Sequence, residues 1–442
     1  MKSLVARRRR TTELGLGLLA VIIGVAGYLL VELSQKLTLP PDLWVLLAVV
    51  IGLFAVAHLA VRAFAPRADA TLLPLVALLN GIGFVMISRL DKGLARTQSV
   101  WTAVAIAAFV ATLVIVRRVR VLEQYRYTFA FLGIAFLLLP LAPGIGREVN
   151  GARLWARVGP VTFQPGEIAK VLFVVFFAAY LVEKRELLSS GSRRIGRMML
   201  PDPKHLGPLV LAWAVAILLM TGGKDLGSSL LFFALFTAML YIATARSAYL
   251  VAALVLFVGA SVVAYNMFSH VTVRVSTWIN PWPTSQGKGY QLVQSLFAFG
   301  SGGFAGTGLG LGSPQKIPNA STDFIFSAIG EELGLIGTIA VVIAFLLLVG
   351  TGFRIARQTD RPFSKLFAAG LSVILGVQMF VIVGGVSRLI PLTGITLPFI
   401  SYGGSSLVAN WVIIALLLRI SDETVAEAEA AANTRAVPVA VP

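Results

Sequence analysis

Apolar runs of membrane-spanning length recur along almost the whole chain, and this constrains the fold more than any other feature. A run that crosses a hydrocarbon core of about 30 Å as a helix needs about 20 residues. Such runs fall near 14–33, 43–65, 71–88, 99–116, 125–142, 167–183, 207–221, 226–244, 248–266, 323–351, 366–386 and 401–419. Those at 125–142 and 207–221 are the shortest. In lipid every backbone polar group must be satisfied within the segment or by a neighbour, so runs of this kind fold as helices. The expected architecture is an all-α, polytopic membrane protein of about twelve transmembrane helices. Composition agrees: 57% of the 442 residues are hydrophobic and 13% charged, against about 25% charged in a soluble domain.

The net charge of +17 does not point to nucleic acid. The cations sit in short clusters between apolar runs, the pattern that orients membrane helices. With the N-terminus inside, 24 of the 37 Lys and Arg fall on the inner side and twelve outside, and Lys170 sits within a helix. This bias predicts an N-in, C-in arrangement. Residues 1–13 read as a basic cytoplasmic N-terminus leading into a retained first helix, because no small-residue cleavage site follows the apolar run. The stretch 14–65 holds the first two spans, and 71–420 holds the remaining ten. Residues 266–322 form the largest extracytoplasmic loop, before a helix expected to start at Asp323. Residues 421–442, rich in Ala and Glu, read as a disordered cytoplasmic tail.

There is no cysteine, which excludes disulfide, thiolate and Cys-metal chemistry. His58, His205 and His270 form no ligand-spaced pair. The polar, Gly- and Pro-rich segments 143–166, 222–225, 266–322 and 386–400 all fall on the outer side, so a site built from them opens outward.

Within those segments Asp323 stands out. It suits either a helix N-cap or a general base at the membrane edge, where water-borne and lipid-borne groups meet. Glu331 and Glu332 follow in an apolar run, roughly 12–13 Å further along a helix. Intramembrane carboxylates normally face a bundle interior or a wet cavity. Adjacent positions point about 100° apart, so a structural role is expected for Glu332. Glu167 and Lys170, three apart, can form an ion pair on one helix face or bring Lys170 to a phosphate. Lys224-Asp225 reads as a turn with a capping Asp. Asn150-Gly151-Ala152-Arg153-Leu154-Trp155 offers a cation and an interfacial aromatic. The glycines of 300–312 are no nucleotide fingerprint, since no βαβ context surrounds them; they suggest close backbone approach or a mobile loop. The small and hydroxyl residues of Leu397–Ser406 suit close helix packing.

Taken together, these segments resemble the SEDS family of bacterial cell-wall polymerases, in which RodA and FtsW are the best known. The matching pieces are Gly287–Ser295 (GKGYQLVQS), Thr322–Gly334 (TDFIFSAIGEELG), Phe163–Lys170 (FQPGEIAK), Asp225–Gly227 and Leu397–Ser406 (LPFISYGGSS). In this order and spacing they are specific. Two helices added at the N-terminus resemble the actinobacterial RodA-like branch.

The resemblance implies a peptidoglycan glycosyltransferase that polymerises lipid II during elongation and cell-shape maintenance. It implies a cell-membrane location with the site facing outward, and a class B penicillin-binding protein as partner. Asp323 is then the catalytic residue. The substrate-binding set is Trp155, Arg153, Glu167, Lys170, Lys224, Asp225, Gln291, Glu331, Arg388, Ser401 and Ser405. Inverting displacement of a pyrophosphate needs one base and no second carboxylate acid. Cations should meet the leaving group, with Lys170, Lys224, Arg153 and Arg388 the candidates. A divalent cation, Mg or Mn, is an open addition, although the sequence holds no preformed metal cage. Two other readings are a lipid II flippase and a non-enzymatic scaffold for the crosslinking partner. The first should show repeat symmetry, and none stands out; the second should tolerate Asp323→Asn.

Overall fold

A computed structural model of the chain describes residues 2–36, 43–149, 152–189, 193–195, 198–200 and 203–435. Its helices are α1 (Lys2–Lys36), α2 (Leu43–Phe64), α3 (Leu72–Leu90), α4 (Lys92–Ile115), α5 (Arg120–Gln124), α6 (Arg126–Leu138), α7 (Pro165–Glu183), α8 (Arg185–Ser189), α9 (Pro203–Gly222), α10 (Leu226–Thr244), α11 (Ser247–Met267), α12 (Ser269–Ile279), α13 (Tyr290–Gly302), α14 (Ile325–Gln358), α15 (Pro362–Val386) and α16 (Gly404–Arg435). Among the described residues ten helices are long and apolar enough to cross a membrane, and α6 and α9 are shorter apolar helices. These twelve coincide with the twelve runs read from the sequence, including the two shortest. The protein is a multi-pass membrane protein.

The centre of the bundle is α7, α15 and α16, which are largely buried. Phe173, Phe176, Phe177 and Tyr180 of α7 pack into that core. In the second turn of α7, Lys170 donates to Glu167 Oε2 (2.5 Å), Gln378 Oε1 on α15 (3.1 Å) and Asn410 Oδ1 on α16 (3.4 Å). One ammonium thus ties three central helices. The N-terminal pair lies at the periphery. Gly24 of α1 crosses Gly81 of α3 so closely that a Cβ on Gly24 would sit 3.5 Å from the Gly81 Cα, the small-residue contact by which helices associate in lipid.

Three expectations are corrected. The outer segment after α6 is a three-stranded antiparallel meander, β1 (Gly146–Val149), β2 (Ala152–Val158) and β3 (Val161–Phe163). Gly159, with φ 61°, opens the two-residue turn between β2 and β3, a conformation that favours glycine. Asn150 and Gly151 lie outside the described residues. The 266–322 segment is not a plain loop, since it carries α12 and α13. The tail is not disordered from 421: α16 continues to Arg435. Asp422 Oδ1 accepts from Arg67 N (2.7 Å), Ser421 Oγ from Asp69 N (3.0 Å) and Glu423 Oε1 from Val119 N (2.7 Å). The carboxylates Asp422 and Glu423 instead bind the connections after α2 and α4.

Candidate active site

Asp323 lies two residues before α14, in a turn. The position that caps α14 is Phe324, and no side chain bonds there, so Asp323 is not the N-cap and the helix starts at Ile325. The turn is held from the segment before α16. Ser401 Oγ donates to the Thr322 carbonyl (2.7 Å) while accepting from Leu397 N (2.9 Å), and Tyr402 N donates to Ser321 O (2.8 Å). The conformation of Thr322-Asp323-Phe324 is thereby fixed by Leu397–Tyr402.

The carboxylate of Asp323 faces Gly394, whose φ is 77°. A Cβ at Gly394 would stand 3.4 Å from Asp323 Oδ2 and 3.7 Å from Arg274 Nη2. Arg274, on α12, donates through Nη1 to Leu392 O (2.9 Å) and Thr393 O (2.6 Å). Gly227, in the Asp-Leu-Gly turn, abuts the same strand, because a Cβ there would meet Ile395 and Thr393 O. Arg274, Asp323 and the 392–395 segment therefore form one unit.

Burial pushes the Asp323 carboxyl up to about 6, against the pull of the Arg274 charge and a hydrogen bond from Thr322. Burial lowers the Arg274 pKa, and the neighbouring charges of Asp323 and then Asp225 oppose this. Asp225 is raised by burial, against its bonds from Ser228. A carboxylate near 6 beside a guanidinium that cannot lose its proton suits a base that works near neutral pH.

The other expected residues divide into groups. Asp225 accepts from Ser228 N (2.9 Å) and caps α10, and Lys224, exposed, takes φ 63° in that turn. Arg153 N donates to Gly223 O (3.2 Å), joining β2 to the same turn. Arg153, Leu154, Gln164, Gly166 and Asp225 line a small cleft of about 20 Å³. The Arg153 side chain pairs with Glu148 (3.3 Å). Trp155 is half-buried on β2, opposite Arg147. Ser405 Oγ accepts from Gln164 N (2.9 Å), fixing the start of α7. Gln291 is half-buried on α13. That helix is locked to α14 where Ser295 Oγ meets Ser327 Oγ (2.7 Å).

Geometry gives four of the expected substrate contacts a different part. Glu167 and Lys170 are buried in the ion pair of the core, and Lys170 is 1% exposed, so its ammonium is enclosed by protein groups. Arg388 donates through Nε to Trp278 O (2.9 Å) and through Nη2 to Ile279 O (2.5 Å), closing the last turn of α12. Glu331 Oε1 accepts from Ser313 N (2.7 Å), and Glu332 accepts from Gly310 N (3.0 Å) and Arg89 Nε (3.0 Å).

Those glutamates sit at a break in α14, where Gly334 has φ 63° and ψ −163°. The glycine-rich segment closes the break. Thr307 N and Gly308 N donate to Glu331 O (2.9 Å) and Glu332 O (3.0 Å), and Leu335 N and Ile336 N donate to Gly303 O (3.0 Å) and Phe304 O (3.2 Å). A Cβ on Gly302, Gly306 or Gly334 would strike the facing backbone. Of the two readings of these glycines, close backbone approach is the one realised.

Arg274 escaped the sequence reading. Its one signal is that it is the sole charged residue between Arg246 and Lys288. As for a metal, no group of three His, Cys, Asp or Glu side chains converges among the described residues. Mg binds through one or two carboxylates, waters and substrate phosphates rather than an all-protein cage, and the carboxylate available for that here is Asp323.

Comparison with known proteins gives a consistent result. A family model described as cell cycle protein, FtsW/RodA/SpoVE, matches residues 69–426. The chain is 46% identical over 424 residues to the peptidoglycan glycosyltransferase RodA of Mycobacterium tuberculosis (strain H37Rv), covering 93% of this chain and 90% of the relative. It is 36% identical over 386 residues to a probable peptidoglycan glycosyltransferase FtsW of Nitrosococcus halophilus, covering 83% and 95%. Among solved structures, a chain from a study of polymerization and crosslinking by a peptidoglycan synthase complex matches with TM-score 0.66 at 27% identity, covering 81% and 98%. The rod shape determining protein RodA of Thermus thermophilus matches with TM-score 0.56 at 26% identity, covering 80% and 96%.

Proposed function

The chain belongs to the FtsW/RodA/SpoVE family of cell cycle proteins, and from that membership we propose how its site performs the reaction. It is a peptidoglycan glycosyltransferase. The substrate in this reading is lipid II, the polyprenyl-pyrophosphate-linked disaccharide peptide. The observation that carries the mechanism is the Asp323 carboxylate, raised to about 6 and set beside Arg274 at Gly394.

Asp323 takes the proton from the attacking sugar hydroxyl as that oxygen bonds to the anomeric carbon of the donor. The bond from that carbon to the pyrophosphate breaks, and the lipid pyrophosphate leaves with the electron pair. Pyrophosphate is a good leaving group, so one base suffices. Arg274 keeps Asp323 ionised and supplies fixed positive charge on the site side. The outward cations Lys224 and Arg153, close to the same turn, are the candidates for the pyrophosphate. A Mg or Mn ion would be held by Asp323 together with the pyrophosphate and water and would neutralise the leaving group; no step is assigned to it.

The protein works in this reading in the bacterial plasma membrane with its site facing outward, during elongation, beside a class B penicillin-binding protein. The test is polymerisation of lipid II by the purified protein with that partner, comparing wild type with Asp323→Asn at matched folded yield. Long glycan strands from wild type and none from the variant are expected. Equal strands from both would remove Asp323 as the base.

A further inference from the structure

Near its outer end α1 is buried at Val31 and Glu32, 1% and 2% exposed, whereas Ile22 and Leu30 are 62% and 56% exposed. Gln35 and Lys36, at the very end, are exposed. The glycine-rich segment bears on this last turn. Gly310, with φ 81°, rests on Ser34, and a Cβ there would collide with Ser34 Oγ and lie 3.3 Å from Val31 O. Next to it, the Gln35 carbonyl, in the amide orientation that satisfies both groups, accepts from Arg89 Nη1 (3.1 Å) and Nε (3.3 Å). Arg89 in turn donates to Glu332 Oε1 (3.0 Å) and to Gly312 O (3.0 Å).

Contacts therefore run without a gap from α1 to the short helical stretch between Asp323 and Gly334. Ser34 and Gln35 bear on Gly310 and Arg89. These hold Glu332, whose own backbone is bonded to the glycine-rich segment. The stretch so held opens on the Asp323 turn. The family model begins only at residue 69, so α1 lies outside the matched region, packs along α3 within it, and meets the glycine-rich segment at its outer end.

We propose that the outer tip of α1, through Ser34 and Gln35, is a positioning element of the active site, which fixes the height and tilt of the stretch that presents Asp323. This rests on the glycosyltransferase reading above. At Gly310 the contact leaves no room for a side chain, with Ser34 Oγ and the Val31 carbonyl on the facing side. Charged bonds at Arg89 set the register of the stretch.

The experiment measures lipid II polymerisation by the full-length protein with its transpeptidase partner for Gly310→Ala, Gly310→Ala with Ser34→Gly, and Gln35→Ala. Wild type and Asp323→Asn are assayed in the same series. Gly310→Ala is expected to lower kcat at least tenfold with KM changed less than twofold, since the substrate-facing groups are untouched. Ser34→Gly should restore the part of that loss due to the collision of the new methyl with Ser34 Oγ, while the strain of alanine at φ 81° stays. Gln35→Ala, which leaves the backbone unstrained, should lower kcat severalfold at unchanged KM. A role in folding alone would lower yield and melting temperature while leaving kcat per folded molecule at the wild-type value. That result, or a wild-type kcat in Gln35→Ala, overturns the inference. If wild type itself makes no strands, the glycosyltransferase reading is what has failed.

Discussion

Replacing Arg274 by Gln removes a charge without removing much volume, and its effect can be worked from the site. The Gly394 contacts put the guanidinium within about 7 Å of the Asp323 carboxylate. At that distance and an effective dielectric of ~20, Coulomb's law gives about 2.4 kcal/mol, or just under two pH units at 1.36 kcal/mol each. Partial wetting of the site reduces this, so about one to two units are expected. The sign follows from the role: a base must be deprotonated, so kcat/KM rises with pH through the pKa of Asp323 and levels above it. Wild type should show its acidic limb at about 6. In Arg274→Gln the limb should move to about 7–8, and much of the lost activity should return at pH 9. Arg274→Lys keeps the charge but loses the paired bonds to Leu392 and Thr393, so it should keep a limb near 6 with a lower plateau. A limb that stays at 6 in Arg274→Gln, or moves down, would refute the coupling, and with it the assignment of Arg274 as the group that holds Asp323 ionised.

Two further outcomes test the structural assignments. Lys170→Met leaves Glu167 buried without its partner, which costs about 3–5 kcal/mol; folded yield should collapse, and Glu167→Gln in the same chain should recover much of it. A well-folded Lys170→Met protein with a raised KM for lipid II would return Lys170 to the substrate. Ending the chain after Ile420 removes the bonds from Ser421, Asp422 and Glu423 to the connections after α2 and α4, and hydrogen bonds to charged groups contribute about 1.5–3 kcal/mol each. The thermal midpoint in detergent should fall by several degrees, and an unchanged midpoint would contradict the clasp.

The spans were legible because membrane insertion depends on the length and apolarity of single runs, and even α6 and α9 satisfied that test. The local sequence of Asp323 suited an N-cap as well as a base, and the cap reading fell because Phe324 stands at the cap position. Lys170 was ambiguous in the same way. Its spacing from Glu167 allowed both an ion pair and a phosphate contact, and the choice fell to Gln378 and Asn410, more than 200 residues away. Arg274 stood in no pattern, since its partners are backbone carbonyls and a glycine brought in by α15 and α16. The break at Gly334 was hidden within an apolar run because its stability comes from another segment's N–H and C=O groups, which no local propensity encodes.

That break sets the elevation of the chemistry. The lipid-facing side chains of α14 begin at Leu335 and Ile336 and recur at Ile339, Ile343, Leu346 and Leu347, while Ile325–Glu332 is buried throughout. From Leu335 to Gln358 the helix is about 36 Å long, already enough to cross a core of about 30 Å. By length, the turn bearing Asp323 then lies at or beyond the edge of the hydrocarbon core. Under the proposed lipid II reaction, a polyprenyl carrier need not be lifted out of the bilayer to be cleaved, since its chain can stay among the acyl tails while its sugars reach Asp323.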